Sequence, residues 1–262
     1  MGHVIKAALR VLGRLIWSYF TWILPYSGKN KDKYPLEQRY AKVRFLIKRV
    51  NKALDNEVIV FGKENIPQEV SCFYANHLGA CDPLPMIEAI KAPVAFLAKS
   101  EIKKMPMVGR IFTASNGQFL DRSDIKQQIG IVNLMQKSLT EKEHHWFVFP
   151  EGTRNKDPLA VLQPFHYGTF RAAMKAGVPI SPIATYSSFR LLKSKHHFKK
   201  YPTFVSFLPV ITPDEYANMT PEEVGAKVRS MIQKEISFHL RQEDHKYMLK
   251  FAKKGYRFNE VY

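Results

Sequence analysis

Residues 94–98, Val-Ala-Phe-Leu-Ala, hold no polar side chain. This is the pattern of a strand buried on both faces. Similar short apolar runs stand at 58–62, 71–75, 117–120, 146–149, 178–185 and 204–210. Helix-length segments at 83–90, 124–142 and 168–176 separate some of them, and another follows at 221–241. The 124–142 segment, capped by Ser123, carries a stripe of Ile125, Gln128/Ile129, Val132, Met135 and Leu139. Val224, Val228, Ile232 and Ile236 share one face of 221–241. Strands alternating with helices predict an α/β fold, with a mainly parallel or mixed central sheet flanked by helices. Residues 101–114 follow no single period and stay unassigned. In such sheets, function collects at the loops after the strands' carboxyl ends.

The first 56 residues follow another rule and are read as a separate N-terminal amphipathic helical hairpin (1–56), ahead of an α/β domain (57–262). Ile5, Ala8, Leu12, Leu15, Tyr19 and Trp22 recur at helical spacing, while Lys6, Arg10 and Arg14 share another face. Trp17 and Trp22 lie in an uncharged second half that is shorter than the roughly 20 residues a spanning helix needs. No small-residue cleavage site follows, so a signal peptide is not expected. Lys6 stands where a myristoylation signal prefers serine or threonine. A second stripe, Leu36, Tyr40, Val43, Ile47, Val50 and Leu54, is bordered by Lys42, Arg44, Lys48, Arg49 and Lys52. Either both helices pack on the domain with a solvated basic face, or the hairpin lies in a bilayer interface, tryptophans down and cations at the headgroups. The aromatic content favours the second reading. Each cation near an anionic leaflet is worth about 1 kcal/mol.

Charge supports an anionic partner: the chain carries a net +17, and residues 1–56 hold 12 lysines and arginines against 3 acids. Cys72 and Cys81 give no disulfide framework, and a reducing cytoplasm is expected. No CxxC or HxxxH spacing announces a metal, so none is expected. No Walker loop or GxGxxG announces a nucleotide.

Three polar clusters follow apolar runs. Asn76-His77 stands ahead of Asp82, with Pro83 suited to the first position of a helix. Histidine is suited to taking a proton near neutral pH, and a carboxylate is its usual orienting partner. Asp82 is expected to cap the helix and orient His77 at once. Asp121-Arg122-Ser123 and Pro150-Glu151-Gly152-Thr153-Arg154 each place an arginine beside an acid. Each arginine is either tied up in a local ion pair or offers its planar fork to phosphate oxygens. Three such loops on one sheet edge imply a shared site. The doublets His144-His145 and His196-His197 are read as surface residues. The basic stretch 190–200 is read as a solvated, membrane-facing or carrier-facing loop.

These segments resemble the glycerolipid acyltransferase family whose best-known members acylate lysophosphatidic acid. Asn76, His77 and Asp82 match its first motif; Gly117, Phe119, Leu120, Asp121 and Arg122 its second. Phe149-Pro150-Glu151-Gly152-Thr153-Arg154 matches the third whole, and Val178-Pro179-Ile180-Ser181-Pro182 the fourth. The resemblance implies transfer of a fatty acyl group from a thioester to the free sn-2 hydroxyl of lysophosphatidic acid. His77 would be the base and Asp82 its orienter. Arg122 and Arg154 would hold the acceptor phosphate, with Thr153 and the Gly152 backbone assisting. Glu151 would position Arg154 or the acceptor glycerol. No cofactor is implied, because acyl-carrier protein or acyl-CoA enters as co-substrate. The hairpin looks like the membrane-docking hairpin of small bacterial members, placing the chain at the cytoplasmic face of the cell membrane as a peripheral or monotopic protein. The chain departs from the common pattern at Gly79, at Asn155 and at Phe165-His166-Tyr167-Gly168. These departures leave the acceptor open to glycerol 3-phosphate, another lysolipid or a lyso-lipoamino acid. Two rivals of other classes are a non-catalytic basic membrane adaptor and a nucleic-acid binder. No helix-turn-helix, RRM or finger pattern supports the latter.

Overall fold

The computed structural model describes residues 16–155, 157, 161–193 and 199–252. A π-helical turn, Tyr19–Ile23, leads into α1 (Leu24–Ser27) and then α2 (Leu36–Ala53). The sheet strands are β1 (Asn56–Phe61), β2 (Cys72–Ala75), β3 (Val94–Lys99), β4 (Gln118–Leu120), β5 (His145–Val148), β6 (Ile180–Tyr186) and β7 (Tyr201–Phe207). Between them run α3 (Pro83–Ala89), α4 (Pro106–Ala114), α5 (Ile125–Thr140), α6 (Gly168–Lys175) and α7 (Arg190–Lys193). After β7 come α8 (Pro213–Tyr216), α9 (Pro221–Glu235), a π-helical turn Ile236–Leu240 and α10 (Arg241–Ala252).

The strand order is β1-β7-β6-β2-β5-β3-β4. All neighbours are parallel except β6 and β7. The carboxyl ends of β2, β4, β5 and β6 therefore share one edge. β2, β5, β6 and β7 are buried along their whole length, as continuous apolar runs require. Alternation splits the core in two. Tyr74, Trp146 and Phe204 face Leu139, Phe170, Val228 and Ile232 from α5, α6 and α9. Phe73, Phe147 and Phe207 face Tyr40, Val43, Ile47 and Met86 from α2 and α3. Each such side chain contributes about 1.5–3 kcal/mol.

Several expectations change here. The stripe of α2 that the sequence offered to a bilayer is spent on the core: Tyr40, Val43, Leu46 and Ile47 are buried beside the sheet. Arg44, counted on the basic face, donates to the α3 carbonyls of Ile87 (3.1 Å) and Glu88 (2.9 Å). What stays outside is aromatic. Trp17 and Phe20 are 56% and 59% exposed. Trp22 packs against Phe45 at 4.8 Å, with Lys42 and Arg49 over its ring. Lys6, Arg10 and Arg14 lie outside the described residues. Among the described residues, no helix is long and apolar enough to cross a membrane.

Asp124, not Ser123, caps α5, its side chain accepting from Gln127 N. Ile125 is 71% exposed, and Ile131, Met135 and Leu139 carry the buried face instead. Residues 106–114 form α4, opened by a proline at its first position. His144 and His145 are buried, not superficial. They do point apart, but β5 is covered on both sides. Burial lowers both pKa values to about 4. His196 and His197 lie outside the described residues. Arg190 of the basic stretch is buried against Asp244.

Candidate active site

At the end of β2 the chain leaves the sheet without losing its hydrogen bonds. The Asn76 side chain donates to Thr185 O (2.9 Å) and accepts from Thr185 N (2.8 Å), standing in for the next ladder step toward β6. His77 is then free to turn outward. Its backbone N–H donates to Glu151 Oε1 (2.8 Å), and its carbonyl accepts from Asn155 N (2.7 Å). The imidazole stacks on Phe149, with centroids 4.1 Å apart.

The ring's Nδ1 lies 2.7 Å from Asp82 Oδ2. That same oxygen accepts from Leu78 N (2.7 Å) and Gly79 N (3.0 Å). Oδ1 accepts from the Ser188 hydroxyl at the end of β6. Asp82 is fully buried, whereas the His77 side chain keeps 19% of its surface. The expected capping role fails: no hydrogen bond joins the Asp82 side chain to the α3 backbone. Asp82 already has helical φ and ψ of −54° and −37°. A helical side chain tilts toward the preceding turn, which here is the histidine turn. The backbone N–H groups it satisfies are those of that turn.

Glu151 departs from the first of its two expected roles, positioning Arg154. Oε1 holds His77 N, Oε2 holds Gln163 N (2.9 Å), and no ion pair joins it to Arg154 among the described residues. Gly152 follows with φ +63°, turning the chain so that Glu151 faces inward while Thr153 and Arg154 are exposed. Burial raises the Glu151 pKa, and the two backbone donors oppose that rise.

Arg122 is exposed. Its neighbour Asp121 accepts from Ser123 N (2.9 Å) and Oγ (2.6 Å) instead. The Arg122 Nη2 lies 3.9 Å from the position a Gly152 side chain would take, and the His166 ring comes to about 3 Å of it. The β4 and β5 loops therefore meet at Gly152. Thr153 and Arg154 stand on the same β5 loop. Cys81, beside Asp82, has its thiol pushed up to about 12 by burial and by that carboxylate. Sequence reasoning missed the roles of Asn155 and Ser188. Asn155 stood out only as a departure from a motif, and nothing near Ser188 signalled it.

This geometry can hold a histidine in one tautomer and orientation, with Nε2 left for a substrate proton and, nearby, arginines that form no ion pair among the described residues. The chain matches the acyltransferase family over residues 57–186. It is 28% identical over 170 residues to 1-acyl-sn-glycerol-3-phosphate acyltransferase of Saccharomyces cerevisiae, covering 64% of this chain and 55% of that protein. It is 31% identical over 176 residues to lyso-ornithine lipid O-acyltransferase of Pseudomonas aeruginosa, covering 66% and 62%. The chain thus spans a little over half the length of these relatives. The crystal structure of the 1-acyl-sn-glycerophosphate acyltransferase PlsC from Thermotoga maritima shares the fold. Its TM-score is 0.65 at 22% identity, covering 88% of this chain and 96% of that one. Motif loops, sheet edge and sequence match converge, and the chain belongs to the family of PlsC-like acyltransferases.

Proposed function

We propose that the chain transfers a fatty acyl group from an acyl thioester to the sn-2 hydroxyl of lysophosphatidic acid, giving phosphatidic acid. The observation that carries this reading is the 2.7 Å contact of His77 Nδ1 with Asp82 Oδ2 in a buried, fully bonded carboxylate. With Nδ1 engaged, Nε2 removes the hydroxyl proton as the oxygen attacks the thioester carbonyl. Asp82 stabilises the imidazolium that forms, and the ring's Nε2 proton passes to the departing thiolate as the carbon–sulfur bond breaks. General-base catalysis of this kind is worth about 10²–10⁴-fold. Arg122 and Arg154 receive the acceptor phosphate, helped by Thr153 and the Gly152 backbone. Glu151 contributes by holding the His77 turn. The donor is acyl-carrier protein or acyl-CoA, both acidic and suited to a basic surface.

The chain acts as a peripheral protein on the cytoplasmic membrane face. The exposed Trp17 and Phe20, with Trp22, Lys42 and Arg49 behind them, support this, and Lys6, Arg10 and Arg14 supply further cations. A second acceptor class, a lysolipid with an amino-acid headgroup, is favoured by the 31% identity to the lyso-ornithine enzyme.

The test is a donor-by-acceptor activity matrix in vesicles, run with the native chain and with His77→Ala. The expected result is highest turnover with lysophosphatidic acid, and a loss of at least about 100-fold in the variant. Near-normal turnover by His77→Ala would overturn the mechanism, and preference for the lyso-ornithine acceptor would overturn the substrate.

A further inference from the structure

The turn after β6 reaches the site from the strand that lies beside β2. Asp82 Oδ2 is taken by three donors from its own turn, but Oδ1 has one hydroxyl partner, Ser188, 106 residues away in sequence. Ser188 is 1% exposed. Its Oγ lies 3.1 Å from where a side chain on Gly79 would begin, so a side chain at residue 79 would push the two turns apart.

The turn is itself held hard. Ser187 has φ +75°, a left-handed conformation that a serine keeps only when its surroundings fix it. Its Oγ donates to Asp244 Oδ1 (2.5 Å) and accepts from Arg190 Nη1 (2.7 Å). Arg190 and Asp244 form a buried two-pronged pair, with Nη2 to Oδ2 at 2.8 Å. Asp244 belongs to α10, so these charge-assisted bonds anchor Ser187 to that helix, and the backbone from Ser187 to Ser188 carries the anchorage to the hydroxyl on the dyad's carboxylate.

We propose that Ser188 is a positioning residue for the reaction, and that the Arg190–Asp244 pair is the lock that holds it in place. This rests on the dyad assignment made above. The carboxylate torsion of an aspartate is broad, and the Ser188 hydroxyl restricts it so that Oδ2, with its lone pair, stays on Nδ1. An ordinary packing contact would stabilise the fold without selecting one oxygen.

The experiment measures steady-state kinetics of Ser188→Ala and Ser188→Cys, alone and with Asp82→Asn, after thermal melts verify folding. Ser188→Ala is expected to lower kcat about 10-fold with acceptor KM unchanged. Cysteine, a weaker donor of similar size, falls between. In the Asp82→Asn background, Ser188→Ala adds less than about twofold, because the two changes act on one bond. Wild-type kcat in Ser188→Ala, a cysteine variant no better than alanine, or equal losses in both backgrounds would each overturn the proposal. A His77→Ala chain that still turns over would instead refute the dyad reading, independently of Ser188.

Discussion

The sheet edge that carries the site has a closed half and an open half. In the closed half, His77, Asp82 and Glu151 are saturated: both oxygens of each carboxylate are engaged and the histidine backbone is pinned at N–H and C=O. In the open half, Arg122, Thr153 and Arg154 are exposed, and neither arginine forms an ion pair among the described residues. Proton transfer needs atoms fixed within a few tenths of an ångström, whereas anion binding needs donors not yet spent. The local acids were the alternative partners for these arginines. Asp121 and Glu151 instead turn to backbone and hydroxyl donors, which leaves the guanidinium groups available.

The contrast makes ordered predictions. The largest effect belongs to the closed half. Asp82→Asn retains the shape but presents an amide to Nδ1, and kcat is expected to fall about 10²–10³-fold with little change in acceptor KM. Steady-state kinetics check it, and a pure KM effect would erase the distinction between the halves. Next comes the open half. Arg122→Ala should raise the KM for a phosphate-bearing acceptor about 10-fold or more, at nearly constant kcat. The penalty should vanish for an acceptor without that phosphate.

Glu151→Gln comes third. Its amide oxygen can accept one of the two backbone N–H groups, while its NH₂ faces the other. A stability loss of about 1–3 kcal/mol follows, read by urea unfolding, with a several-fold fall in kcat.

The smallest effect lies at the far end of β5. His144 and His145 hold pKa values of about 4 when folded, below the ordinary value near 6.5. Their stabilising contribution is complete above about pH 6.5 and is lost as pH falls toward 4. The loss reaches about 1.4 kcal/mol per pH unit for each ring. Neither ring nitrogen of His144 has a hydrogen-bond partner among the described residues, and Glu143 comes only to 3.9 Å. His144→Phe should therefore flatten the acid slope and raise stability by about 1 kcal/mol, leaving kinetics unchanged. A kinetic change would mean that the two ends of the strand are coupled.

Local pattern carried the reading a long way. Apolar runs located the seven strands, and the loops after β2, β4 and β5 located His77, Asp82, Arg122 and Glu151. The rest was hidden because it depends on partners distant in sequence. Periodicity identified the α2 stripe as apolar but could not say whether sheet or lipid covers it. In α5 the first isoleucines match the stripe yet stay exposed. Adjacent histidines point apart in any strand, but only the sheet's double cover makes both buried. Ser188 meets Asp82 solely because β6 lies beside β2, and no spacing rule encodes that adjacency.

Cys81 has a further consequence for a site that handles activated acyl groups. A thiol next to the dyad would be expected to compete with the acceptor, taking the acyl chain onto the protein by exchange. Only the thiolate is a useful nucleophile, and with its pKa pushed to about 12 this sulfur stays protonated at neutral pH. Burial first, and the Asp82 charge second, thus silence a thiol that stands beside the dyad. The site gains chemical selectivity from the same closure that orders its carboxylate.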